Sequence, residues 1–297
     1  MEENTFKSGF VAIVGPPNAG KSTLLNKLLG EKIAIISPKP QTTRNRILGI
    51  LHGKGFQLAF LDTPGIHKTK TLLHKSMVSS ASELFNEVDI LLVLVDATSY
   101  NDEEISLILN NIKKSRCPVI LAINKIDRIP RIKILPIIEY FIKKHDFQSI
   151  VPVSALTGDG IDNLLNELKK LIRPGPEFYP KDMTTDQSEP FIISEIIREK
   201  IYLNTKKEIP YSSAVTVQNI KKDIRKDLIS ISATIHVESE SQKAIIIGRG
   251  GKMIKKIGST SRSELEETFK AHIFLDLKAR VEKNWSKDTK ALRKLGY

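Results

Sequence analysis

Eight residues near the start of the chain, GPPNAGKS from Gly15 to Ser22, limit its fold more than any other feature. They fit the pattern G-x-x-x-x-G-K-[ST] and lie between a strand-like run, FVAIVG, and a helix-like run, KSTLLNKLLG, that stops at a glycine. A turn of this kind closes backbone N–H groups around phosphate oxygens, and the helix start that follows adds positive potential. Gly15, Asn18, Ala19 and Gly20 are therefore expected around the phosphates, with Thr23 on the same helix start. Lys21 is expected to reach the β- and γ-phosphates, and Ser22 to hold Mg²⁺. A loop of this type lies beyond the carboxyl end of a strand in an open α/β sheet.

The residues up to about 172 agree with that sheet. RILGILH and FQLAFLDTPG read as a strand pair, and DILLVLVDAT, PVILAINKID and SIVPVSA as further short buried strands. Helical patterns fall near 72–87, 102–115, 131–144 and 160–172. Short apolar strands separated by helices predict a mixed, mostly parallel sheet covered on both faces. Three more motifs sit at strand ends. DTPG places Asp62 where it can bind Mg²⁺ through water and the Gly65 N–H where it can meet a γ-phosphate. NKID, with Asn124, Lys125 and Asp127, offers a carboxylate to the N1–H and N2–H of guanine, a donor pair that adenine lacks. SAL, with Ser154, Ala155 and Leu156, offers backbone N–H groups to guanine O6, while Asn124 is expected to meet the other purine edge and brace the loop.

In this order the motifs resemble the Era/TrmE group of translation-factor-related GTPases, over about residues 8–173. The resemblance implies that QTTRNR, residues 41–46, is the first switch, with Thr43 binding Mg²⁺ and closing over the γ-phosphate and the adjacent Thr42 as the alternative ligand. Lys21, Thr43 and Gly65 become the catalytic candidates, acting by positioning and charge neutralisation. Ile66 follows DTPG, where Ras-like GTPases carry a glutamine that orients the attacking water, and isoleucine cannot hydrogen-bond water. The group also implies K⁺ bound near Asn18 and a slow intrinsic turnover.

Residues 171–190, LIRPGPEFYPKDMTTDQSEP, carry four prolines and little periodicity, so 174–189 reads as a linker. Beyond it the pattern runs α-β-β-α-α-β to residue 283, with a basic, helical tail from Asn284. Between the paired helices lies IIIGRGGKMIKKIG, residues 245–258, rich in glycine and cations and free of acid. G-x-x-G alone fits any helix–turn–helix corner. In this element order it resembles a prokaryotic, type II KH domain, whose loop clamps an RNA backbone. Ile247, Gly248, Arg249, Gly250, Gly251, Lys252 and Lys255 are then the RNA-binding candidates, and Ile247 and Ile254 the helix anchors. A GTPase domain (1–173), linker (174–189) and α+β KH domain with a basic C-terminal helix (190–297) together resemble the bacterial Era family. That family implies GTP and GDP as ligands, binding near the 3′ end of 16S rRNA, a role in 30S subunit assembly, and a cytoplasmic location with some peripheral inner-membrane contact. A monomer is the default expectation.

Composition is consistent with this. The net charge is +12 over 297 residues, which makes polyanions plausible partners. The lone cysteine, Cys117, excludes an internal disulfide and is expected to be buried. No apolar run approaches the roughly 20 residues needed to span a bilayer, and no secretory leader is expected before Gly9. A tRNA-modifying relative would carry a cysteine near its end, where this chain reads ALRKLGY. A membrane reading would rest on that basic tail, with Trp285 seated at the interface.

Overall fold

The computed structural model describes residues 6–37, 46–62, 87–113 and 115–295. The chain divides into two units, with the boundary between Asp186 and Gln187.

The first unit is built on one sheet. Its strands are β1 (Lys7–Val14), β2 (Ile47–Gly53), β3 (Phe56–Asp62), β4 (Ile90–Asp96), β5 (Val119–Asn124) and β6 (Ser149–Pro152), in spatial order β2-β3-β1-β4-β5-β6. All neighbours are parallel except the β2–β3 hairpin. β4 shows why its sequence, ILLVLVD, lacks polar alternation. Ile90 to Val95 are at most 2% exposed, because both faces of a central parallel strand are covered. The described helices are α1 (Lys21–Leu29), α2 (Asp102–Ile112), α3 (Ile134–Ile142) and α4 (Ile161–Leu171). α4 buries Ile161, Leu164 and Leu168 at helical spacing. α3 starts at Ile134, after a 3₁₀ turn at Arg131–Lys133, rather than at 131. That start leaves Pro136 in the first turn, where a missing N–H costs no helical bond. The candidate helix at 72–87 lies outside the described residues. Cys117 is half-buried, with its thiol donating to the Val88 carbonyl at 2.8 Å.

The segment expected to be a linker behaves differently over most of its length. β7 (Arg173–Pro174) pairs antiparallel with the start of β1, and Phe178 stacks on Phe10 with ring centroids 4.9 Å apart. Further on, the Thr184 carbonyl accepts from the Ile50 N–H at 2.8 Å, and Thr185 Oγ1 donates to the Leu48 carbonyl at 2.7 Å. Prolines suit such a strap, which runs along a sheet without needing every N–H as a ladder donor.

The second unit has α5 (Glu189–Asn204), β8 (Ala214–Asp223), β9 (Leu228–Val237), α6 (Glu240–Ile247), α7 (Lys252–Phe269) and β10 (His272–Val281), the expected α-β-β-α-α-β order. Its sheet runs β10-β9-β8, parallel between β9 and β10 and antiparallel between β8 and β9. Ile229, Ile231, Ala233 and Ile235 alternate inward along β9 onto a core shared with Ile197, Ile201 and Leu265. The tail forms a 3₁₀ turn at Trp285–Lys287 and a short helix, α8 (Thr289–Lys294). Trp285 is fully buried, and its Nε1–H donates to the Ser212 carbonyl at 3.1 Å. It is therefore unavailable as an interfacial anchor. Trp285→Ala should cost about 3–5 kcal/mol of stability, as large-to-small changes at filled sites do. Urea unfolding of the full chain, followed in the second unit, measures this.

Candidate functional site

Four of the loops that the sequence marks, the glycine loop, DTPG, NKID and SAL, leave the carboxyl ends of strands, and parallel pairing brings those ends together. The glycine loop follows β1, Asp62 ends β3, Asp96 ends β4, Asn124 ends β5, and Ser154 lies just beyond β6.

The glycine loop closes tightly. A Cβ on Gly15 would sit 2.3 Å from the Leu94 carbonyl oxygen, and one on Gly20 (φ +99°) 2.3 Å from Asn124 Nδ2. Neither position admits a side chain. Asn18 adopts φ +61°, a conformation unusual outside glycine but tolerated by asparagine. Lys21 is buried and donates from Nζ to the carbonyls of Gly15 (3.1 Å) and Pro16 (2.9 Å). Burial lowers its pKa from 10.5 to about 8, with Asp62 and Glu104 pulling the other way. Ser22 Oγ donates to Asp62 Oδ2 at 2.7 Å, and Asp62 is wholly buried. A hydroxyl and a carboxylate facing each other beside a phosphate loop form the hard-oxygen pair that Mg²⁺ takes when phosphates and water complete its shell, so the residues fit that ion.

On the base side, Asn124 braces two loops. Its Nδ2 donates to the Ala19 carbonyl (2.8 Å) and its Oδ1 accepts from the Ala155 N–H (2.9 Å). The Ser154 N–H donates to the Asp159 carbonyl at 2.8 Å. Two of the three N–H groups expected to face guanine O6 thus have protein partners, and Ala155 must exchange Asn124 to reach a base. Asp127 Oδ1 accepts from Ser154 Oγ at 2.6 Å, which fixes the carboxylate. Lys125 has φ +65° and pairs its ammonium with Asp96. Burial alone would raise the Asp96 pKa. Hydrogen bonds from Lys125 and from the Thr98 side chain and backbone outweigh that and hold it below the usual carboxylate value.

An open cleft of about 600 Å³ is lined by Asn18, Gly20 and Thr23 from the glycine loop and helix start, and by Asn124, Lys125, Asp127, Ala155 and Leu156 from the base-side loops. Asp96, Arg128, Ile36 and Ser37 line it too. The sequence reading missed these four. Asp96 had a signal, an acid ending the apolar run LLVLV, the same context that picked out Asp62. Ile36 had none, since an isoleucine in a loop carries no chemistry by itself. Thr43, with its neighbour Thr42, and Gly65 and Ile66 all lie outside the described residues.

The second loop is separate. Gly248 (φ +71°) has Met253 Cβ and N within 3 Å of where a Cβ would stand, so its glycine serves packing. Gly250 (φ +57°) and Gly251 (φ +76°) have nothing within 4 Å of theirs, leaving open space above the backbone. Arg249, Lys252 and Lys255 are exposed around that space, with no ion pair among the described residues. The helix anchors are Ile246 and Ile257, both fully buried, while Ile247 and Ile254 are only half-buried. Ile247 instead borders the loop. The first site can hold a nucleoside triphosphate with its base against a carboxylate. The second can take a polyanion backbone against bare glycine.

Known families and relatives match both units. The family described as 50S ribosome-binding GTPase matches residues 10–125, and the KH domain family matches residues 208–286. The chain is 52% identical to the GTPase Era of Syntrophus aciditrophicus, over 98% of this chain and 95% of that one. It is 48% identical to the GTPase Era of Geobacter metallireducens over the whole of both. A crystal structure of a substituted Aquifex aeolicus Era bound to GDP·AlF₄⁻ superposes with a TM-score of 0.95 at 41% identity, covering 98% of this chain and 99% of that one. A structure of Era with MgGDPNP and nucleotides 1506–1542 of 16S ribosomal RNA gives the same score, identity and coverage.

Proposed function

The chain belongs to the GTPase Era family, and from that premise we propose that it is a GTP-gated RNA clamp that acts in assembly of the small ribosomal subunit. It is a GTPase with a KH domain. The observation that carries the reading is the presence, in one chain, of a cleft lined by the fixed carboxylate of Asp127 and a second loop whose glycine backbone stands open among cations. A relative in complex with both a GTP analogue and the 3′ segment of 16S rRNA supports joining the two.

Asp127 selects guanine, and Asn124 holds the base-side and phosphate-side loops together. Lys21 neutralises the β- and γ-phosphates. Ser22 and Asp62 hold Mg²⁺, which neutralises charge on the phosphates when bound. Thr43 and the Gly65 N–H close over the γ-phosphate. With isoleucine after DTPG, no side chain there orients the water, so turnover is slow. At the second loop, Gly250 and Gly251 let the RNA backbone approach, and Arg249, Lys252 and Lys255 neutralise it. The GTP-bound form is the RNA-binding form, and hydrolysis promotes release. The protein acts as a monomer in the cytoplasm on the 16S rRNA 3′ end of the 30S subunit.

Two expected results bear on the nucleotide site. Asn18, held at φ +61°, contributes to a K⁺ site, so hydrolysis should be faster in KCl than in NaCl. Equal rates would remove K⁺ from the scheme. The second concerns pH. Lys21 without nucleotide loses its proton near pH 8. Phosphates beside it raise that value, so the bound form holds more protons above pH 8. GDP affinity should therefore fall as pH rises from 8 to 10, by up to about tenfold per unit. Fluorescent-nucleotide titration at pH 7, 8 and 9 measures this, and a flat profile would mean that Lys21 keeps its proton in the empty loop.

The deciding experiment is the affinity for a labelled single strand from the 3′ end of 16S rRNA, with GDP and with a non-hydrolysable GTP analogue, over a salt series. Sequence-selective binding that tightens with the analogue, with a slope near about 0.7 per neutralised phosphate, supports the clamp. Weak, sequence-blind binding indifferent to nucleotide would reduce the basic charge to a generic property.

A further inference from the structure

A buried amide, Gln57 on β3, has no place in the nucleotide or RNA chemistry, yet it is fully engaged. Its Oε1 accepts from the N–H groups of Phe178 (2.8 Å) and Tyr179 (3.1 Å), and its Nε2 donates to the Tyr179 carbonyl (2.8 Å) and to His52 Nδ1 (3.2 Å). Because His52 Nδ1 accepts, its proton sits on Nε2, which donates to the Met183 carbonyl at 2.8 Å. The contacts then step down β2 toward its start: Met183 at His52, Thr184 at Ile50, Thr185 at Leu48. Asp186 ends the series in a pocket of about 190 Å³ that Arg46, the last residue of QTTRNR, also lines. Glu87 and Tyr179 line the same pocket.

This arrangement links three things by covalent continuity and hydrogen bonds. β2 begins one residue after QTTRNR. β3 ends at Asp62 and leads into DTPG. The strap bound along this hairpin runs directly into Gln187, where the second unit begins. Hydrogen bonds to backbone on both sides fix the register, so the strap must follow any displacement of the hairpin between the two γ-phosphate-contacting segments.

We propose that Gln57 and His52 are positioning residues for nucleotide–RNA coupling, clamping the segment that enters the RNA-binding unit to the hairpin between the two switch segments. The proposal rests on the GTP-gated reading above. It places the transmission within the first unit and its outgoing segment. It requires no side chain of the nucleotide cleft to act beyond that cleft.

The test measures, on the full chain, the ratio of RNA dissociation constants with GDP and with a non-hydrolysable GTP analogue, using the labelled 16S 3′-end strand. Wild type should show a ratio in the range usual for coupled sites, about 5–150-fold. Gln57→Ala, and separately the pair His52→Ala with Thr185→Val at partly exposed positions, should bring that ratio toward 1. GDP affinity, RNA-free GTP hydrolysis and RNA affinity in one nucleotide state should stay within about twofold of wild type, which a merely structural lesion would not allow. The pair serves if Gln57→Ala fails to fold. A wild-type ratio retained in a folded variant overturns the proposal and leaves the gated reading standing. A wild-type ratio of 1 overturns the gated reading, and this proposal with it.

Discussion

Asp127→Asn should exchange guanine for xanthine. In the native cleft the carboxylate can accept both N1–H and N2–H of guanine, and Ser154 Oγ holds it in place from the other side at 2.6 Å. Hydrogen bonds to a charged group contribute about 1.5–3 kcal/mol each, so losing the matched pair should weaken GTP binding about 10²–10⁴-fold. An asparagine amide presents one acceptor and one donor. It can take N1–H and give to the 2-oxo group of xanthine, which the carboxylate repels. Xanthosine triphosphate should therefore bind and be hydrolysed by the variant, while Ser154 can still donate to the amide oxygen. Equilibrium titration with both nucleotides decides the matter, and unchanged GTP affinity would remove Asp127 from base recognition.

Gly250→Asp should abolish RNA binding and spare the GTPase. The backbone there is left-handed, at φ +57° and ψ +27°, a region aspartate enters more readily than most residues. A Cβ would meet nothing within 4 Å, so the fold accommodates the change. The new carboxylate, however, stands where phosphate must approach, among Arg249, Lys252 and Lys255. Like charges brought together at a contact cost several kcal/mol, which corresponds to at least about a hundredfold loss of RNA affinity. Melting temperature and RNA-free hydrolysis should match wild type. Loss of hydrolysis as well would mean that the two sites are not separate. Gly248 is different, because a side chain there meets Met253, and its substitution should damage the domain itself.

The contrast between these glycines shows how far the sequence could be read. GRGG, within an α-β-β-α-α-β order, marked the loop and its cations. It did not show which glycine serves packing and which leaves room for a ligand, since that depends on what stands within 4 Å of an absent Cβ. The anchor isoleucines were misplaced for a related reason. Four consecutive apolar positions, Ala244 to Ile247, leave the helical phase ambiguous, and packing buried Ile246 rather than Ile247. The proline-rich segment read as a linker because loss of periodicity is all that composition registers. Its partners are Gln57, His52 and Ile50, more than a hundred residues away in sequence.

By itself, then, the sequence pointed to the loops proposed for phosphate, metal and base chemistry, because those jobs demand particular residues at fixed local spacing beside a strand end. It also determined the class of both units, through apolar runs and helical periods. Tertiary structure decided what depends on distant neighbours. It set the pKa of Lys21, lowered by burial, and the grip of Asp96 on Lys125. It committed the Asn124 amide to Ala19 and Ala155, buried Trp285, and laid the strap along β2. Those features arise from contacts between residues far apart in the chain, which local spacing does not encode.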